Sequence, residues 1–365
     1  MGGSKLNKGR IAGIFRRFSS TDVLVIITGL VVGIVGGLLV KAGNPPNMGI
    51  CIACFERDIA GALGLHRVAA VQYLRPEIMG FLLGAWVSAL IFGEFRHRGG
   101  SSPLIRFLIG VLVMIGALVF LGCPIRTILR LGGGDLNGLT GLFGIASGAF
   151  LGVLFLRRGF SLGRSYKNPP ITGWIIPGLM VSLLLMAIFH PPFIFTSQKG
   201  PGAMHAFFPI SLGAGLVVGF LGQRSRMCFV GGIRDLFLIR NPHLFNGMIA
   251  ALIGVLVTNI ILGQFQLGFA DQPIAHSSHF WNYLAMVVVG LGATLLGGCP
   301  FRQLILAGEG NGDAGMVVIG MIAGAALAHN FGLASSADGV TPGGMIATLV
   351  GLAVMLTIGY FMREK

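Results

Sequence analysis

Ten apolar stretches set the limits of what this 365-residue chain can become, near 22–40, 76–95, 103–121, 138–156, 173–190, 207–222, 245–263, 282–298, 315–334 and 342–361. Each runs for roughly 17 to 21 residues, which at about 1.5 Å per helical residue crosses a hydrocarbon core about 30 Å thick. No water is available there to pair with free backbone groups, so each stretch must be helical. Only 10% of the residues are charged and 54% are hydrophobic, too little polar surface for a soluble globule. The expectation is an all-α polytopic membrane protein of about ten spans. Two stretches, 207–222 and 282–298, are short and run straight into cysteine motifs, so they are expected to tilt or to share depth with broken segments. The 60 glycines suit close helix contact in lipid, where small residues take over from the hydrophobic drive.

A net charge of +14 would fit a polyanionic partner, but its distribution argues against nucleic acid. With the N-terminus in the cytoplasm, 19 of the 26 basic residues fall inside, among them Arg96, Arg98, Arg157, Arg158, Arg164, Arg224 and Arg240. Seven fall outside: Lys41, Arg57, Arg67, Arg75, Arg126, Arg130 and Lys199. This asymmetry is the positive-inside pattern, and both termini are expected to be cytoplasmic. The basic start and first apolar run resemble a secretory signal. That run is long and no small-residue cleavage site follows, so it is expected to stay as a span.

Within this frame one pattern occurs twice. Cys51 is followed by Arg57 and Asp58 (CIACFERD), and Cys228 by Arg234 and Asp235 at the same distances (CFVGGIRD). Gly-Cys-Pro at Cys123, with Arg126 three residues on, is answered by Gly-Cys-Pro at Cys299 and Arg302. Each is followed by a glycine-rich turn, with Asp135 and Asn137 matching Asn311 and Asp313. The spans divide five and five, so the second half must enter the bilayer from the opposite side. The expected organisation is one membrane domain of two inverted repeats, 1–195 and 196–365, related by a pseudo-twofold axis in the membrane plane.

Each motif also reads as a helix start. Glycine breaks the preceding segment, and proline suits the first turn of a new helix because its missing N–H needs no partner there. Asn44-Pro45-Pro46-Asn47 does similar work before Cys51. Re-entrant half-helices of this kind line pathways, and their N-termini carry partial positive charge that favours a small anion. A lone cysteine in a membrane helix is ordinarily a packing residue, but four at repeat-related breaks point to a thiol-lined pathway of Cys51, Cys123, Cys228 and Cys299. Cys51-x-x-Cys54 also allows a dithiol redox pair or metal site. Against that, Gly231 holds the place of Cys54 in the second half, and no histidine stands at ligand spacing, so no metal or cofactor is expected. Arg57, Arg126, Arg234 and Arg302 either bind the anion or staple the half-helices. Adjacent Asp58 and Asp235 favour stapling, because a charge at membrane depth needs a partner. Asp135, Asn137, Asn311 and Asp313 are expected to satisfy backbone groups freed at the turns. His329 beside Asn330 reads as a bundle-facing polar residue or a proton relay.

At these motifs the chain resembles the YeeE/YedE family of membrane transporters for sulfur compounds, over essentially its whole length. The run from Asn44 to Cys54, followed by Arg57-Asp58-Ile59-Ala60-Gly61, is most similar to the YedE branch, described as selenium transporters. The resemblance implies an hourglass-shaped helical protein in which central cysteines pass thiosulfate inward through weak sulfur contacts. That role falls on Cys51, Cys123 and Cys299. Cys228 departs from the three pore cysteines of thiosulfate-importing members and points to another ligand, such as a selenium compound.

The expected function is therefore import of a small sulfur- or selenium-containing anion by a non-enzymatic permease. A terminal sulfur or selenium is large, polarizable and weakly hydrated, and weak S–H donors suit it. The partners expected are that anion, the lipid bilayer and a cytosolic sulfur-carrier protein. Two other readings stay open, a membrane thiol oxidoreductase and a non-transporting scaffold for sulfur or selenium metabolism.

Overall fold

The computed structural model describes residues 20–363. Lys5, Lys8, Arg10, Arg16, Arg17 and Lys365, which contribute to the expected charge asymmetry, lie outside the described residues, as do both termini. Each of the ten apolar stretches is a helix. The first five are α1 (Ser20–Lys41), α3 (Pro76–Ile91), α4 (Pro103–Phe120), α6 (Asn137–Arg157) and α7 (Pro170–Phe189). The second five are α8 (Phe208–Ser225), α10 (His243–Ile261), α11 (His279–Leu295), α13 (Gly312–Asn330) and α14 (Pro342–Phe361). Between them stand four short helices, α2 (Ile52–Ala62), α5 (Pro124–Gly132), α9 (Phe229–Ile239) and α12 (Pro300–Gly308).

Eight helical segments among the described residues are long and apolar enough to cross a membrane, counting the α4–α5 and α11–α12 runs as one 30-residue segment each. The other two are α3, with 16 residues, and α8, which ends in polar Gln223-Arg224-Ser225. The fold is that of a multi-pass, helical membrane protein. Its only ladder among the described residues is a two-residue antiparallel pair, β1 (Arg98–Gly99) with β2 (Tyr166–Lys167), tying the α3–α4 loop to the α6–α7 loop.

The helices pack in matching sets. α1 lies on α10 and α3 on α8, while α4 lies on α13 and α6 on α11. Exchanging the first seven helices with the last seven, in order, converts each of these contacts into its counterpart. α4 meets its own mate α11 at the centre, and α1 meets α8. The outermost helices depart from the scheme, since α7 rests on α3 whereas α14 rests on α11 and α4. They are also the least enclosed, and the α11–α12 run the most enclosed.

Glycine sets how close these pairs come. A Cβ on Gly144 or Gly148 of α6 would strike the carbonyl oxygens of Tyr283 or Val287 on α11. The counterparts, Gly320 and Gly324 of α13, would strike those of Phe107 and Val111 on α4. All four positions of the second contact lie 176 residues from those of the first. Backbone this near backbone supplies dispersion and weak C–H···O contacts that lipid cannot match.

Gly148→Ala should therefore force the α6–α11 pair apart and destabilise the protein by about 1–3 kcal/mol. Gly178→Ala in α7, where an added Cβ meets open space, should be neutral or stabilising by up to about 1 kcal/mol. Thermal unfolding of the two variants in detergent checks the contrast.

Candidate functional site

The four motif cysteines occupy one structural position, the N-cap of a short helix: Cys51 before α2, Cys123 before α5, Cys228 before α9 and Cys299 before α12. All four caps have extended backbone, as a helix start requires. Where proline follows, at α5 and α12, it removes an N–H that would have no partner. Where it does not, sulfur accepts the free N–H instead. Cys54 N donates to Cys51 Sγ at 3.4 Å, and Gly231 N to Cys228 Sγ at 3.2 Å.

Within each half the two caps come together. Cys51 Sγ lies 3.8 Å from Cys123 Sγ, and Cys299 N donates to Cys228 Sγ at 3.3 Å. Short helices of the two halves touch through α2 against α12 and α5 against α9. All five cysteines are free thiols and buried. Behind the second pair, Phe301 stands edge-on to Phe81 and Phe229, with ring centroids 6.1 and 6.0 Å apart.

Cys54, which the repeat leaves without a mate, belongs to the cluster. Its Sγ is 3.0 Å from Cys51 Sγ and 3.3 Å from Arg126 Nη1. The signal was its spacing, since three residues is nearly one helical turn and stacks Cys54 under Cys51. The first half thus gathers three sulfurs and the second half two.

The motif arginines are held by the protein. Asp58 accepts from Arg57 Nη2 at 2.7 Å on one oxygen and from Arg75 Nε at 2.8 Å on the other. Arg75 also donates to the Met204 and Pro201 carbonyls at 2.8 and 2.7 Å, and lies over the Phe55 ring. Arg126 serves the break between α4 and α5. It donates to the Leu121 carbonyl, to Asn47 O at 3.1 Å and to Ile274 O at 2.8 Å. Leu121 itself has φ +63°, where its mate is Gly297 at +78°. In the second half Arg234 pairs with Asp235 at 2.8 Å and reaches Gly297 O at 3.3 Å, and Arg302 pairs with Glu309 at 3.1 Å.

The turn residues also have partners. Asn311 accepts from Ala314 N and caps α13, while Asp135 accepts from Asn137 N at 2.9 Å. Asn137 donates to Phe269 O at 2.7 Å. Asp135 is bound by Arg130 at 2.5 Å, and Asp313 accepts from Ser101 N and Ser165 Oγ. Arg75, Arg130 and Glu309 carry no motif signal. They are found only through the carboxylates and arginine they complete. His329 stacks near His66, with ring centroids 4.6 Å apart.

Two cavities border residues of the half-helices or of the segments that lead into them. One of about 190 Å³ borders Asn47, Gly49, Leu129, Asn259 and Gln264, beside the segment entering Cys51. Another of about 290 Å³ borders Arg106, Arg234, Thr294 and Gly297, two residues before Cys299. The last turn of α8, before Cys228, is anchored by Glu94, which accepts from Gln223 at 2.6 Å and pairs with Arg224 at 3.3 Å. The Gln223 hydrogen bond, with help from the neighbouring arginines, holds the Glu94 carboxyl below the usual range. Among the described residues, no group of three or more His, Cys, Asp or Glu side chains is arranged to hold a metal ion.

Comparison with known proteins finds similarity to sulfur transporters over part of the chain. Residues 224–363 match the family model described as sulphur transport. The chain is 31% identical to the thiosulfate transporter TsuA of Escherichia coli over 97 residues, 26% of this chain and 27% of that protein. It is 32% identical over 100 residues to the thiosulfate transporter TsuA of Spirochaeta thermophila, 26% of this chain and 30% of that protein. An uncharacterized protein of Methanocaldococcus jannaschii is 30% identical over 96 residues, 22% of this chain and 91% of that one. The chain thus spans less than a third of the length of the two transporters it matches.

The two Arg–Asp pairs should differ sharply in weight. Asp58→Asn strips the counter-charge from two buried guanidiniums and should cost about 3–5 kcal/mol, enough to abolish most folded protein. Asp235→Asn acts on a pair about a fifth exposed and should cost about 1 kcal/mol or less. Thermal unfolding and the yield of monodisperse protein measure both.

Proposed function

Because the chain belongs to the YeeE/YedE family of membrane transporters for sulfur compounds, we propose that it imports a small anion with a terminal sulfur or selenium atom, thiosulfate first among them. The anion passes a line of neutral thiols, Cys51, Cys123, Cys228 and Cys299, with Cys54 as a fifth contact. The observation that carries this reading is the placement of all four motif cysteines at half-helix N-caps, their sulfurs or amides meeting in pairs.

The chemistry follows from what the site offers. Helix N-termini present N–H groups and partial positive charge to an anion. Arg57, Arg126, Arg234 and Arg302 are engaged by carboxylates or carbonyls, so they support the half-helices and shape the field without clamping the cargo. Hard oxyanions are best held by charged and amide donors, whereas a soft terminal sulfur is adequately met by S–H groups. Weak, repeated contacts let the ion leave as readily as it enters.

The reading extends to architecture. We take 1–195 and 196–365 as inverted repeats of one membrane domain, in a bacterial inner membrane with both termini cytoplasmic. The exchangeable helix contacts support this, as does the excess of basic residues on one side. The cavity bearing Arg106 and Arg234 then opens to the cytoplasm, where a sulfur-carrier protein would receive the cargo. The extra thiols Cys54 and Cys228 favour a selenium compound as an additional cargo.

Uptake of labelled thiosulfate into proteoliposomes tests the function, with selenite and a selenosulfur anion as comparators. Alanine at Cys51, Cys123 or Cys299 should reduce uptake several-fold, since a weak donor contributes about 1 kcal/mol and 1.4 kcal/mol is about tenfold. Serine, which keeps a donor, should retain part of what alanine loses. Serine variants as inactive as alanine, with a sulfur adduct on the wild-type cysteine during turnover, would replace weak contact by a covalent relay. Cysteine labelling at positions 98 and 164 should place both on the cytoplasmic side, and outward labelling would overturn the topology.

A further inference from the structure

Two carboxylates on α2 receive opposite treatment. Asp58 is shared by two arginines. Glu56, two residues earlier and 1% exposed, has no hydrogen-bond partner on either oxygen. The ion pairs among the described residues do not include it.

Neighbouring elements offer it no cation. On α2 itself Arg57 is turned to Asp58. From α3, Glu77 is held by Asn44, and from α12, Arg302 is held by Glu309. On α4 and α13, Arg106 and Asp313 lie 3.9 Å apart, and His329 rests against His66. Glu56 lies on α2, the half-helix that starts at the Cys51 cap and carries Cys54. An ionised carboxylate without a cation or donor is strongly disfavoured in such a place, so the group is held uncharged.

The fold does not require an acid here. The repeat mate of Glu56 is Ile233, an apolar side chain that is also buried. An unpaired acid kept on a half-helix that begins at one clustered thiol and carries another, at a position where isoleucine serves the packing, points to a role in what passes.

We propose that Glu56 is a proton-binding site of this pathway: protonated, it donates a hydrogen bond to the passing anion, and ionised, it repels the anion and closes the route. The inference rests on the transport reading above. The proton stays on the carboxyl as the anion moves, so the residue gates and selects without being consumed. Uptake should fall as pH rises, because ionisation places a second negative charge in the path.

The test uses the full chain in proteoliposomes, with wild type, Glu56→Gln and Glu56→Ile assayed for thiosulfate uptake between about pH 6 and about pH 9. One titrating group can change the open fraction about tenfold per pH unit. Wild-type uptake should fall as pH rises through the ionisation of Glu56, by up to about tenfold per pH unit. Glu56→Gln, permanently neutral with a donor, should stay within about threefold of the wild-type low-pH rate and be flat with pH. Glu56→Ile should be flat but slower, having lost the donor. Infrared spectra should show a protonated-carboxyl stretch in wild type, shifted by thiosulfate and missing from both variants. Variants that keep the wild-type pH profile, a folded but inactive Glu56→Gln, or a wild type without that band would each overturn the proposal. Should wild type take up no thiosulfate, the transport reading falls, and the thiosulfate-induced shift of the band, present or absent, then decides Glu56 alone.

Discussion

Everything distinctive in this protein follows from breaking helices where water cannot repair the break. Each interrupted helix exposes N–H groups at a new start and carbonyls at an old end, and every one needs a partner inside the protein. The chain meets this need with sulfur at the starts and guanidinium at the ends. Cys51 and Cys228 accept amides directly, while Arg126 and Arg234 donate to the carbonyls of Leu121 and Gly297.

That assignment of roles shapes the electrostatics. Arginines engaged with carbonyls and carboxylates hold the four half-helices at fixed angles and lend their charge only at a distance. The groups left at the half-helix starts are free thiols and weakly polar amides. A proposed route for a soft anion made this way attracts without trapping, because no single contact is strong. The buried ion pairs are evidence of a specified arrangement more than of stability, since their desolvation offsets much of their attraction.

The packing repeats while the chemistry does not. Gly144 and Gly148 against α11 recur as Gly320 and Gly324 against α4, and the cap cysteines recur in all four places. Yet Cys54 faces Gly231 in the repeat, and Glu56 faces Ile233. The scaffold repeats where any change in helix spacing is felt along the whole contact. Side chains at the half-helices differ, because their contacts are with separate partners and no shared helix spacing depends on them.

The sequence by itself determined the elements. Hydrophobic length marked all ten long helices, and Gly-Cys-Pro marked two half-helix starts to the residue. These are local properties: apolar length decides whether a segment can stay in lipid, and proline and glycine decide where a helix can begin or end. Only the tertiary structure decided partnership. Arg75 with Asp58, Arg130 with Asp135 and Glu309 with Arg302 could not be read from the chain. Nor could the approach of Cys51 to Cys123 or the isolation of Glu56. The rotation of each helix about its axis and the approach of distant segments settle which polar groups meet, and no run of residues encodes that alone.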